Sequence, residues 1–331
     1  MHRDENESAL LARAAAFEEC PALALLSAEK LRAIAAREGM DFATALLYDR
    51  VKRSGRHAAF IARIDELQRC NLSQGSSRNT TIAIVPAAFY KEKPHSGADG
   101  RVVREAAGRS GLHCELIPLE STGTLLENST ILLDWLKQHT GEKTILVSLC
   151  KGGADVKFAL GTPGADARFE NVQAWINICG TLSGSPVAHW LLATRLRFFA
   201  TWLYLKSGGH DLQFLREIAP SSSQPLFGPL RLLPAMQLIN IIGFPLRRHL
   251  TNGFMRRCHQ FISPRGPNDG GVLLADACLL PGLTFPVWGA DHYLRPDHRA
   301  QQIITAILDY LTSQLPQAEP AHNRREPCRA T

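Results

Sequence analysis

The sequence lacks any pair of cysteines two residues apart and any short cysteine–histidine motif of the kind that holds zinc. Its cysteines, at 20, 70, 114, 150, 179, 258, 278 and 328, are scattered. That pattern excludes a disulfide scaffold, fits reduced thiols in a cytoplasmic protein, and calls for no metal or other cofactor. An apolar leader is missing too: the chain opens MHRDENESALL, with no small-residue cleavage site, so no secretory signal is expected. Nor is there a membrane span. The longest apolar stretch, Pro225 to Leu246, contains Arg231 and prolines 225, 229, 234 and 245, whereas a span needs roughly 20 unbroken apolar residues. No basic stripe interleaved with aromatics appears, which argues against nucleic acid as a partner. The net charge of +6, from 37 basic and 31 acidic residues, suits an anionic partner instead. A phosphopantetheinyl carrier, a coenzyme A ester or a peripheral contact with a lipid surface would each answer to it.

With 45% hydrophobic and 21% charged residues the chain has the composition of a globular protein. Its texture changes along its length. Residues 1–74 read as a helical appendage. ALLARAAAFEE, SAEKLRAIAAREG and DFATALLYDRVKRS carry apolar residues at three- and four-residue spacing, with Ser27 as an N-cap and Gly39 as a stop. The bland reading of this part is docking or dimerisation. After the linker Gln74-Gly75-Ser76-Ser77, residues 75–186 alternate strand and helix. Strands are expected at Thr81–Val85, Glu115–Pro118, Lys143–Val147 and Val172–Ile178, with helices at Leu125–His139 and Ala154–Leu160. Such alternation indicates a mostly parallel sheet flanked by helices, an α/β fold.

From 187 to 259 the alternation stops. HWLLATRLRFFATWLYL (189–205) reads as one long aromatic-rich helix, followed by a Pro-broken apolar stretch. An insertion of this kind reads as a helical lid, which places Trp190, Phe198, Phe199 and Leu203 over a substrate pocket. Residues 260–316 return to the core, with a strand at Leu283–Trp288 and a closing helix at Gln301–Leu315. Residues 317–331 are a Pro-rich polar tail expected to be disordered.

The chemistry is concentrated at Val147-Ser148-Leu149-Cys150-Lys151-Gly152-Gly153. A strand followed by a sharp turn into a helix pushes one side chain above the sheet. The backbone then tolerates only small residues two before and two after it. Ser148 and Gly152 stand at those places around Cys150, and the helix N-terminus favours negative charge on the sulfur. The alternative is a core cysteine at a strand end, which leaves the small flanking residues unexplained.

This segment resembles the nucleophile elbow of α/β-hydrolases. Cysteine holds the same place in dienelactone hydrolases, and the Gly-Gly that follows is shared with polyhydroxyalkanoate synthases. The resemblance covers about residues 80–186 and 260–315. It implies the order nucleophile, acid, histidine along the chain. His292, in Gly289-Ala290-Asp291-His292 just after a strand, is similar to the family's base, while His298 reads as the start of the last helix. Pro267-Asn268-Asp269-Gly270-Gly271-Val272 is similar to the acid loop of bacterial lipases, so Asp269 is the implied acid, with Asp276 and Asp291 as runners-up. An ordinary Asn-Asp-Gly turn is the competing reading. The resemblance also implies an oxyanion hole from the amides of Lys151 and Ala88, with Ala87 or Phe89 as substitutes. Phe89 is in addition a candidate substrate contact beside Trp190 and Phe198. Thr181 to Pro186 resembles a lipase segment that lines the cleft.

A Cys-His-Asp triad implies an acyl-enzyme held as a thioester, which water, amines, alcohols or thiols can resolve. The expected activity is therefore an acyl-ester or acyl-thioester hydrolase, acyltransferase or cyclase acting on an apolar acyl group. A polymerising acyltransferase of the polyhydroxyalkanoate synthase kind is one alternative, and a non-catalytic binding protein with this fold is another.

Overall fold

The computed structural model describes residues 6–70, 80–220, 225–295 and 297–314. The linker at 74–77 and the tail from 317 lie outside the described residues.

Four helices come first: α1 (Glu7–Ala15), α2 (Ala28–Glu38), α3 (Met40–Arg53) and α4 (Ala58–Cys70). The expected cap forms, with the Lys30 amide donating to Ser27 Oγ at 3.1 Å. Gly39, at φ 95°, ends α2 in a conformation that a side chain would strain. There follow β1 (Thr80–Val85), α5 (Arg101–Arg109), β2 (His113–Leu116), α6 (Leu125–Gln138), β3 (Lys143–Leu149), α7 (Lys151–Leu160), α8 (Ala165–Arg168) and β4 (Val172–Ile178). Three helices, α9 (Pro186–Leu192), α10 (Arg195–Ser207) and α11 (Gln213–Ile218), precede β5 (Gln237–Phe244). The chain closes with α12 (Gly253–Ile262), α13 (Leu274–Cys278), β6 (Leu283–Trp288) and α14 (Asp297–Gln314).

The strands form one sheet in the order β2-β1-β3-β4-β5-β6, and every pairing is parallel. A parallel sheet needs cover on both faces. α4, α5 and α14 pack on one face around Ile84, Val147, Ile176 and Ile241. α6, α7 and α8 cover the other around Ala83, Leu146 and Trp175. A buried polar chain crosses the middle strands. Trp175 Nε1 donates to Ser148 Oγ (2.8 Å), Ser148 to Asn177 Oδ1 (3.2 Å), and Asn177 Nδ2 to Asn240 Oδ1 (3.0 Å).

Two expectations need correction. The segment 187–259 is not a helical lid throughout, because Gln237–Phe244 is an inner strand of the sheet, paired on both sides. The prolines at 234 and 245 flank this strand instead of interrupting it, so β5 itself keeps all its donors. The long helix over 189–205 is two helices. It breaks at Ala193-Thr194, where the Thr194 side chain caps α10 by accepting from the Arg197 amide. The N-terminal helical appendage packs directly on the core. α1–α3 share a core with Ile242, Phe244 and Trp288 at the ends of β5 and β6, and α4 joins the main core. Buried Arg50 fastens this layer by donating to the carbonyls of Cys20, Ala14 and Phe17.

The fused N-terminal layer yields a stability prediction. Phe244 is fully buried and meets Tyr48 edge-on with ring centres 5.6 Å apart. Phe244→Ala should cost about 3–5 kcal/mol. Urea unfolding should show a single transition with a lowered midpoint, not early loss of the N-terminal helices alone.

Candidate active site

The site lies at the C-terminal ends of the strands, where a parallel sheet directs its loops. Cys150 is the residue between β3 and α7, with φ 47° and ψ −114°. That left-handed backbone is costly for any residue with a Cβ. Three bonds hold it. Its amide donates to the Ile178 carbonyl (3.1 Å), and its own carbonyl accepts from Gly153 (3.1 Å) and Thr181 (3.0 Å). The turn brings α7 so close to β1 that a Cβ on Gly152 would sit 2.5 Å from the Val85 carbonyl oxygen. The small residue two after Cys150 is thus demanded by sterics. Ser148 is small for a second reason, being a link in the buried polar chain across the sheet.

Phe89, Cys179 and Leu294 are the other non-glycine residues with positive φ among the described residues. They follow β1, β4 and β6, so all four strained residues share one edge of the sheet. Strain of this kind gathers at functional sites.

His292 follows β6 and is buried, with its Nδ1 2.9 Å from Asp269 Oδ2. Cys150 lines one cavity with His292, and its sulfur acts on the charge of the ring. Burial disfavours the charged imidazolium, but the Asp269 carboxylate, the Cys150 sulfur and the bond to Asp269 outweigh it. They hold the His292 pKa well above the ordinary histidine range. Asp269 is fully buried on the loop 267–273 and is satisfied there. Its Oδ1 accepts from the amides of Gly271 (2.7 Å) and Val272 (2.8 Å), leaving Oδ2 for the imidazole. The His292 amide returns a bond to the Asp269 carbonyl at 3.0 Å. Gly271 has to be glycine, since a Cβ there would stand 2.4 Å from His292 Nδ1.

The segment from Thr181 to Pro186 joins the two halves of the site. Thr181 binds the Cys150 carbonyl, and Ser185 Oγ donates to the Gly271 carbonyl at 2.9 Å. Asp291, a runner-up for the acid, caps its own turn by accepting from Tyr293 and Arg295. Asp276 lies on α13, and His298 lies in the first turn of α14.

Of the three amides considered after β1, two are engaged: Ala87 donates to Ala98 and Phe89 to Ser121. The Ala88 amide has no partner among the described residues. The Lys151 amide opens α7, where the first N–H groups have no helical acceptor. The Lys151 side chain is itself fully buried, its Nζ 2.6 Å from Asp155 Oδ1. Asn128 Nδ2 donates to the other Asp155 oxygen at 3.2 Å and to the Glu120 carbonyl. Sequence reasoning passed over Asp155 and Asn128. The Lys-x-x-x-Asp spacing on one helix face was the signal for the first, and nothing local marked the second.

Cys179 was not singled out either, and its thiol groups with Asp269 and His292 so that their ligand atoms lie within 4.8 Å of one another. Burial pushes its pKa far up, and both Asp269 oxygens are already engaged.

A small cavity of about 50 Å³ opens beside Cys150 and His292, walled by Ala87, Ala98, Val102, Leu149, Ile178 and Leu294. The expected substrate contacts lie elsewhere. Phe89 packs between His210 and Phe214. Trp190 rests on Phe261 with Arg197 over its ring, and Phe198 lies under Arg216. Phe199 and Leu203 face outward at 57% and 54% exposure, so they do not roof the Cys150 cavity. α10 turns this apolar side away because its other side, with Phe198 and Leu205, packs on Phe89, Leu125 and Ala154.

No protein-family model matches the chain, and no curated sequence does. Solved structures do. A metagenomic carboxyl esterase superposes with a TM-score of 0.55 at 18% identity, covering 73% of this chain and 78% of its own. The mature form of a lipase from Bacillus licheniformis superposes with a TM-score of 0.50 at 20% identity, covering 72% and 92%. The parallel sheet, the strained turn after its third strand and these two likenesses agree: the chain has the α/β-hydrolase fold.

Proposed function

We propose that the chain is an acyl-transfer enzyme that works through a Cys150 acyl-enzyme, with His292 as base and Asp269 as the acid that orients it. The observation that carries this reading is the Cys150 thiol on a strained strand–helix turn, lining one cavity with a buried imidazole whose Nδ1 lies 2.9 Å from Asp269.

In this mechanism the Cys150 sulfur attacks the carbonyl carbon of an ester or thioester, and His292 holds the thiol proton. The oxygen gains negative charge facing the amides of Lys151 and Ala88, which are positioned before the reaction begins. His292 then gives its proton to the departing alcohol or thiol as the carbon–heteroatom bond breaks, leaving an acyl thioester on Cys150. An incoming water, alcohol, amine or thiol loses its proton to His292, attacks that thioester, and returns the free thiol. Asp269 keeps the imidazole in one tautomer and balances the imidazolium. The Lys151–Asp155–Asn128 link acts on position alone, tying the first turn of α7 to the loop before α6. The apolar wall of the cavity favours an apolar acyl group, and the positive net charge favours a donor on an anionic carrier such as coenzyme A.

Substitution at the nucleophile tests the reading. Cys150→Ala should abolish turnover of every ester and thioester. Cys150→Ser should lose most thioester transfer and keep slow ester hydrolysis, because serine depends wholly on His292 for deprotonation. Wild-type rates in the serine variant on all donors would leave the cysteine without a role. Gly271→Ala should drive the His292 ring out of place and lower kcat/KM about 10²-fold, with a far smaller change in melting temperature.

The raised His292 pKa has a signed consequence. Deacylation by water needs neutral imidazole, and in the acyl-enzyme Asp269 still raises this pKa though the Cys150 charge is gone, so the rate should climb with pH. Asp269→Asn removes the foremost influence that raises this pKa, so the inflection should move to lower pH while turnover falls by up to about 10⁴-fold. Single-turnover deacylation followed across pH reads both effects, and an unmoved inflection would sever Asp269 from the mechanism.

A further inference from the structure

A second cleft, of about 420 Å³, lies between the N-terminal helices and the chain after β5, and it shares no lining residue with the Cys150 cavity. Its wall carries Arg13, Arg247, Arg248 and Arg256 together with His259. Two carboxylates line it as well, and both are engaged. Asp41 Oδ1 accepts from the Arg247 amide at 3.2 Å, and Glu38 Oε1 accepts from Arg37 at 2.8 Å. Arg248 lies 3.2 Å from Glu7, and Arg256 reaches the Leu250 carbonyl. Among the described residues the four guanidiniums meet Asp41 and Glu38 in the wall and Glu7 beside it, which leaves basic groups in excess.

His259 supplies an independent sign. It is 3% exposed, and its Nε2 is buried without a hydrogen-bond partner. Buried polar atoms without partners are rare in folded proteins, and one in a cleft wall points to a ligand atom that completes it. Burial holds this histidine's pKa below the ordinary value, with Arg247 lowering it further against the influence of Asp41 and Asp269. The ring is therefore neutral and can offer an N–H at Nε2. Guanidiniums with a neutral imidazole donor form the donor set that suits phosphate, whose tetrahedral oxygens accept several such bonds at once. The cleft is larger than one phosphate, and Leu10, Phe42 and Leu246 give it apolar surface.

We propose that this cleft binds a phosphate group, held by Arg13, Arg247, Arg256 and His259. The site sits directly behind the loop that carries Asp269, since the His259 carbonyl accepts from Asn268 Nδ2 at 3.3 Å and Asn268 Oδ1 in turn holds the Gly270 amide.

Calorimetric titration of the full chain with pyrophosphate and with coenzyme A tests the proposal through binding alone, so its outcome is independent of whether Cys150 turns over. Saturable binding is expected, weaker at high salt and at least about tenfold weaker in Arg13→Gln/Arg247→Gln. Both substituted side chains are exposed, and because Arg13 also lies over the Phe42 ring the melting temperature of the double variant is read alongside. In ¹⁵N-histidine spectra the His259 Nε2 resonance should move on saturation. Binding of pyrophosphate identifies a free phosphate ligand, and binding of coenzyme A alone identifies a phosphate carried on an organic body. Failure of both to saturate, equal affinity in the double variant, or an unmoved His259 resonance would overturn the site.

Discussion

The backbone at Cys150 is held against its own preference, at φ 47°, a conformation that costs a non-glycine residue on the order of 1–3 kcal/mol. The surroundings over-determine it. β3 lies inside the sheet with neighbours on both sides, so the end of the strand cannot drift. α7 must begin at once, with Gly152 packed against the Val85 carbonyl and Gly153 against Asn177. The bonds from Ile178, Gly153 and Thr181 close the turn from three directions. A thiol raised above the sheet in this way is reachable, while the helix behind it presents its positive end.

The rest of the edge is arranged around that turn. Phe89, Cys179 and Leu294 also carry positive φ, in the loops after β1, β4 and β6. Gly243 permits the β6 loop to cross directly over β5, where a Cβ would lie 2.5 Å from the Ala290 carbonyl oxygen. That crossing sets His292 above the sheet. The acid loop reaches it from the opposite side and is fixed by bonds within itself, to Ser185 and to His259. Electrostatics then follows from packing: the Asp269 carboxylate is bonded to the buried His292 imidazole, and the Cys150 sulfur acts on the charge of that ring.

Much of this was legible in the sequence, because its signals are local. Ser148, Cys150 and Gly152 announce the turn by size and spacing alone, and β-branched runs bounded by turn residues mark β1, β3, β4 and β6. The loops of Asp269 and His292 were picked out by likeness, and the structure brings the two side chains together over 23 residues of chain. What failed was non-local. Gln237–Phe244 was hidden in an apolar stretch whose prolines suggested a broken segment, and only pairing with β4 and β6 makes it a strand. The N-terminal helices show amphipathic faces without saying what covers them, and the answer is the far end of the same sheet. Trp190 and Phe198 were assigned to substrate from aromatic content, yet which side of a helix meets the site depends on packing that content does not encode. Asn128 and His259 gain their meaning only from neighbours distant in sequence.

The central claim is that Cys150 carries the acyl group. Intact-protein mass spectrometry after rapid mixing with an apolar acyl thioester, followed by peptide mapping, tests it most directly. The account predicts one acyl mass added per chain, mapped to the peptide containing Cys150, lost in Cys150→Ala and long-lived in His292→Ala once formed. An adduct mapped to another residue, or turnover of the thioester in Cys150→Ala at the wild-type rate, would contradict it.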